Sequence, residues 1–134
     1  MNGLHRDLIE YQHGYCYIFA IAVAQLLSRD IALVWDIEAT DDDLELIGED
    51  CLVHAFVTKN GSDAIDAGGY HESMQALIDE YPCNTARQET ASIDDVYRIA
   101  KEKGWEVPSK DEIDSLVLFI KEAQHCKIQE MQTL

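Results

Sequence analysis

At 134 residues the chain is long enough for one hydrophobic core. Its apolar share, 47%, is ordinary for a globular protein, but 26 acidic residues against 10 basic ones give a formal net charge of -16. That surface repels phosphate backbones, so no direct nucleic-acid binding is expected; it suits a basic partner, or simply solubility.

Leu4, Leu8, Ile9 and Tyr11 mark a short amphipathic helix over residues 4–11, broken by Gly14. From Tyr15 to Leu27 the chain is apolar on every side, which predicts a helix buried all round. Ala20, Ala22 and Ala24 are small and let other elements approach closely. The run is too short to cross a bilayer. Ala22-Val23-Ala24 looks like an export cleavage site, but Asp7 and Glu10 accompany Arg6 in the leader, so a positive n-region is missing. The expectation is a cytoplasmic protein. Cys16, Cys51, Cys83 and Cys126 agree with it: no CxxC pair supports a zinc site, and in a reducing compartment the default is four free thiols.

Residues 31–39, IALVWDIEA, read as a strand rich in β-branched and aromatic side chains. An acidic loop follows, and Asp36, Glu38, Asp41, Asp42, Asp43, Glu45, Glu49 and Asp50 gather there. It is either a solvated loop or a patch for a basic ligand. Asn60-Gly61 between two strand-like runs signals a β-hairpin. A two-residue turn pairs Lys59 with Ser62 and sets His54 opposite Ala67. A three-residue loop with Gly61 left-handed pairs Thr58 with Ser62 and sets His54 opposite Asp66.

The second half reads as helical. HESMQALIDEY begins at His71 and is stopped by Pro82; SIDDVYRIAKEKG has Ser92 as N-cap and Gly104 at its end. After Pro108, Ser109 and Glu112 form a capping box for a helix with Ile113, Leu116, Val117 and Ile120 on one face. His125-Cys126 reads as a frayed helix end, and Tyr11, Tyr15, Tyr17, Trp35 and Trp105 as packing residues. The fold class is α+β: a central buried helix on a small antiparallel sheet, with additional C-terminal helices, in a single domain over 1–134.

Three residues in chain order carry chemistry. Cys16 opens the buried helix, His54 lies on a strand, and Asp66 lies on the next; Asp63, nearer the turn, is the weaker acid. A helix N-terminus favours thiolate, an imidazole shuttles the proton, and a carboxylate fixes the imidazole tautomer. The Cys16 N–H, with Gln12 or His13 supplying a second donor, is the candidate oxyanion site. A chain this acidic opposes another negative charge, so the thiolate needs an ion pair with His54.

GYCYIFAIAVAQLL, VHAFV and DAIDAGG together resemble the Cys–His–Asp core of the papain-like and transglutaminase-like cysteine enzymes, over residues 12–69. The resemblance implies a papain-like core of about 12–69 followed by C-terminal helices of about 71–134. It implies Cys16 as nucleophile, His54 as base and Asp66 as orienting acid. The activity implied is hydrolysis of an amide through a thioester, as in a peptidase, amidase or glutamine deamidase. The substrate is a protein or peptide amide, with no cofactor and no metal. Tyr17 stands where papain-like proteases carry tryptophan, and Gln12 lies closer to the cysteine than their oxyanion glutamine does. The competing expectation is a non-enzymatic acidic binder, an immunity protein or a phage-type mimic of nucleic acid, acting through residues 36–50.

Overall fold

The computed structural model describes residues 4–123. Asp7 caps the short helix α1 (Leu8–Gln12) reciprocally with Glu10. After a three-residue turn comes α2 (Cys16–Leu27), in which every residue from Cys16 to Ala24 is buried. Each fully buried Ile or Phe there contributes about 1.5–3 kcal/mol. Ser28, left-handed at φ 54°, ends the helix.

The sheet comprises β1 (Ile31–Asp36), β2 (Cys51–Val57), β3 (Ala64–Asp66), β4 (Gly69–His71) and β5 (Ala86–Ala91), in the order β4-β3-β2-β1-β5. All neighbours are antiparallel. β1 is buried along its whole length because both faces are covered. Ile31, Leu33 and Trp35 join Ala55, Val57 and Ile65 against α2. Ala32 and Val34 join Phe56, Ala64 and the residues Leu77 and Ile78 of α3 (Met74–Asp79). The helices α4 (Ile93–Lys103) and α5 (Lys110–Ala123) add Val96, Ala100, Ile113, Leu116 and Ile120 to the α2 core. The α+β class and the antiparallel sheet stand as read from the sequence. No helix among the described residues is long and apolar enough to cross a membrane.

Several expectations are corrected. The second half is not helical throughout: β4 and β5 lie in it. β5, ARQETA, is exposed at five of its six positions, so no apolar alternation betrays it. Its full ladder to β1 makes it a strand, and its charges suit an open edge. Neither hairpin register is adopted. Val57 pairs with Ile65, and the connection runs over 58–63. Asp63 is the reason: its carboxylate accepts from Thr58 Oγ1, Lys59 N and Asn60 N at 2.8–3.4 Å, which stabilises the longer loop. Gly61 is left-handed, at φ 85°.

The first strand ends at Asp36 rather than Ala39. Asp36 is buried, and it accepts from the backbone of Glu38, Asn84 and Thr85. It therefore belongs to the fold and not to the solvated acidic loop. Ser109 caps α5 through Glu112 N, but the Glu112 carboxylate does not close the box. It accepts instead from Tyr11 Oη at 2.7 Å and Arg6 Nε at 2.9 Å, fastening the N-terminal segment to α5. Ser92 and Asp95 form the capping box of α4, and Gly104 ends it left-handed. Tyr11, Tyr17 and Trp35 are buried, and Trp35 stacks on Trp105 at 5.9 Å. Gln124, His125 and Cys126 lie outside the described residues.

The Glu112 linkage is testable by equilibrium unfolding. Glu112→Ala leaves the buried Tyr11 hydroxyl without its acceptor and should cost about 2–4 kcal/mol. The readout is a lower urea midpoint at unchanged slope. Glu112→Gln retains an acceptor and should cost clearly less.

Candidate functional site

Strand alternation decides which side chains meet. β2 carries a bulge: His54 pairs with Val34 but Leu52 pairs with Trp35, which leaves Val53 unpaired. His54 therefore shares its face with Val34 and Phe56, and its ring lies 6.0 Å from that of Phe56. Ala55, the next residue, points toward α2. On β3 the same alternation puts Asp66 on the His54 face while Ile65 faces α2. His54 reaches Asp66 on the diagonal, with Nε2 2.8 Å from Oδ2. The imidazole is fully buried and the carboxylate nearly so. His54 Nδ1 is buried and has no hydrogen-bond partner.

Three further residues that the sequence did not suggest surround this pair. β4 pairs with β3 so that His71 lies opposite Ala64, on the Asp66 face, and its Nε2 stands 2.8 Å from Asp66 Oδ1. His71 thus ends a strand and joins the cluster, where a helix start had been expected. The Gly68 N–H donates to the same Oδ1 at 2.8 Å. Tyr81 stacks on His54, with ring centroids 4.3 Å apart and planes at 20°. Its hydroxyl donates to the Gln12 carbonyl at 3.1 Å and stands 3.4 Å from His54 Nε2. A hairpin signal for His71 was present in Gly68-Gly69, since Gly69 adopts φ 108° at the turn. Tyr81 carries no local signal, because its approach depends on the whole 72–85 segment folding back over the sheet.

Cys16 is the first residue of α2 and is 3% exposed. Burial pushes its thiol up to about 12, against backbone hydrogen bonds from Ala55, Tyr17 and Cys16 that lower it. The sulfur thus lies against the backbone of the residue that follows His54. No hydrogen bond joins it to either His54 nitrogen, since Nδ1 has no partner and Nε2 is engaged by Asp66 and Tyr81. The Cys16 N–H, expected at an oxyanion, donates to the His13 carbonyl at 3.3 Å. Gln12, the other oxyanion candidate, turns its side-chain amide toward Gly68, beside the Asp66 carboxylate.

Burial pushes the Asp66 carboxyl up, but hydrogen bonds from His54 and His71 outweigh it and hold it below the usual carboxylate range. Asp63, the alternative acid, closes the 58–63 loop and accepts from Tyr70 Oη at 3.1 Å, so it has a structural task of its own. Among the described residues no group of three or more His, Cys, Asp or Glu is arranged to hold a metal ion. At the α2 N-terminus a cavity of about 760 Å³ opens, lined by Tyr15, Cys16, Tyr17, Cys51, Leu52 and Trp105 among others. Glu49, Asp50, Glu102 and Glu106 stand at it too, with Lys103. Asp50 pairs with Arg87, Glu102 with Arg98 and Glu106 with Arg6, so most of that acidity is already compensated.

No protein-family model matches this sequence, no curated protein matches it, and no solved structure matches its fold.

The depressed Asp66 carboxyl has a pH consequence. Its stabilisation is complete above the unfolded value, near 3.9, and is lost as pH falls through the lower folded value. Between pH 5 and pH 2 the gap in unfolding free energy between the native protein and Asp66→Asn should therefore shrink. Urea titrations at a series of pH values measure it. A gap constant over that range would contradict the assignment.

Proposed function

We propose that the protein is a small cytoplasmic thiol hydrolase acting on amide bonds, with Cys16 as nucleophile, His54 as base and Asp66 as orienting acid. One observation carries the reading: His54 holds Asp66 on Nε2 and keeps a buried Nδ1 with no partner. An unpaired nitrogen at full burial costs roughly 1–3 kcal/mol and calls for a function. With the proton fixed on Nε2, Nδ1 presents a lone pair, which is what a general base needs.

Burial disfavours the thiolate of Cys16, whose sulfur lies beside the Ala55 backbone. Activation requires Sγ to leave the Ala55 backbone, which separates it from the His54 ring, and to reach Nδ1 as substrate enters the neighbouring cavity. The thiol proton passes to Nδ1, and the sulfur attacks the amide carbonyl. Collapse of the tetrahedral adduct breaks the C–N bond, and the imidazolium gives its proton to the departing amine. Water, deprotonated by Nδ1, then opens the thioester and frees the acid. The resemblance to papain-like and transglutaminase-like enzymes supports the order of roles. Among the described residues Cys16, Cys51 and Cys83 are free thiols, which is compatible with a reducing compartment. The substrate is a peptide or protein amide whose side chain packs against Tyr15, Leu52 and Trp105 in the cavity.

Alkylation by a peptidyl chloromethyl ketone near neutral pH, with labelled sites located by mass spectrometry, tests the assignment. The peptide fills the cavity, as activation requires, so Cys16 should react fastest, ahead of Cys51, which lines the same cavity, and His54→Ala should abolish the advantage. Labelling no faster at Cys16 than at Cys51 would sink the proposal.

A second reading has its own observation. Within 37–50, Ile37, Leu44, Leu46 and Ile47 are all exposed, Leu44 by 83%, among seven acidic residues and no basic one. This surface supports a binder of a basic partner with an apolar pocket. In that case neutralising Asp41, Asp42 and Asp43 together should abolish function in cells, and Cys16→Ser should leave it intact. The hydrolase predicts the reverse pattern.

A further inference from the structure

We propose that His71 is a positioning residue for the catalytic base, acting through Asp66; this rests on the hydrolase reading above. A carboxylate held by a single bond rotates freely, because its terminal torsion is broad and two-fold. His54 supplies only the bond on Oδ2. The plane of the Asp66 carboxylate is set from the other side, where His71 Nε2 and Gly68 N both stand 2.8 Å from Oδ1. Fixing that plane fixes Oδ2, and Oδ2 fixes which His54 nitrogen carries the proton. His71, together with the Gly68 N–H, therefore keeps the lone pair on Nδ1.

The fold places His71 for this task. The β3–β4 hairpin puts it opposite Ala64, on the face from which Asp66 projects. Gly68 leaves the space: a Cβ there would lie 3.2 Å from both Asp66 Oδ1 and Gln12 Nε2 and 3.5 Å from His71 Nε2. His71 donates from Nε2 whether its ring is neutral in that tautomer or fully protonated, so the hold does not depend on its charge. Its side chain is 30% exposed against 4% for Asp66 and none for His54. Of the His54, Asp66 and His71 side chains it is the one that solvent reaches, so its replacement opens no buried position.

The test uses ¹⁵N NMR of the His54 ring in the full-length protein, together with the rate of Cys16 alkylation. The native protein should show one His54 tautomer, protonated at Nε2. In His71→Ala that signature should become a mixture, and Cys16 alkylation should slow roughly tenfold, the factor for one lost hydrogen bond to a charged group. His71→Gln can place an amide N–H near the same point and should restore both. Unchanged His54 shifts and rate in a folded His71→Ala would overturn the proposal. So would a His71→Gln protein that is folded yet as impaired as His71→Ala. If Cys16 shows no preferential alkylation in the native protein, the hydrolase reading fails instead, and the His54 tautomer still decides what His71 does.

Discussion

Nine consecutive buried residues, Cys16 to Ala24, must be shielded on every side, and that demand organises the molecule. The sheet covers one flank through Ile31, Leu33, Ala55 and Val57, while α4 and α5 cover others. Tyr11, tied to Glu112, closes the N-terminal end. A helix held this tightly has a fixed first residue, so the position of Cys16 against Ala55 follows from packing before any chemistry is considered. Sheet alternation then sends His54 to the other face. The thiol and the imidazole thus come from opposite sides of one strand and meet only at its backbone.

The acidic composition has two populations. Most carboxylates are exposed, but Asp36, Asp63 and Asp66 are buried, and each gathers several N–H or O–H donors. Asp36 anchors the 83–85 segment, Asp63 shapes the loop after β2, and Asp66 unites two histidines and a backbone amide. In each case hydrogen bonds compensate the loss of hydration that burial imposes. Asp36 and Asp63 are structural acceptors, and Asp66 serves as a multidentate acceptor for the two histidines.

The sequence made the α2 helix, the first two strands and the capped helix from Ser92 legible, because continuous apolarity, β-branching and end signals are local. It also made legible that His54 and Asp66 are partners, though through a register other than the two derived from the turn. The loop length depended on Asp63 collecting three donors, an interaction that turn statistics on Asn60-Gly61 do not contain. β5 was hidden because an edge strand answers to its neighbour β1 and not to its own polarity. Glu112 obeyed the capping pattern at Ser109 but found a more buried partner in Tyr11. Tyr81 was missed because it reaches His54 through tertiary packing and lacks a short-range motif, whereas His71 reaches Asp66 through a local hairpin whose Gly68-Gly69 signal was passed over.

The bulge at Val53 divides β2 into two parts with different obligations. Beyond it, His54 to Val57 are locked by the ladder to β1 and by the packing on both faces. Before it, Cys51 and Leu52 pair with Asp36 and Trp35 and also line the cavity. The unpaired residue shifts the register between these two ladder segments. Length changes or new side chains in the loop stop at Cys51 and Leu52, which the ladder to β1 holds, and so leave the imidazole in place. A lineage carrying this fold can therefore alter what the loop recognises while the buried histidine stays where it is, so recognition and the buried cluster are free to diverge at different rates.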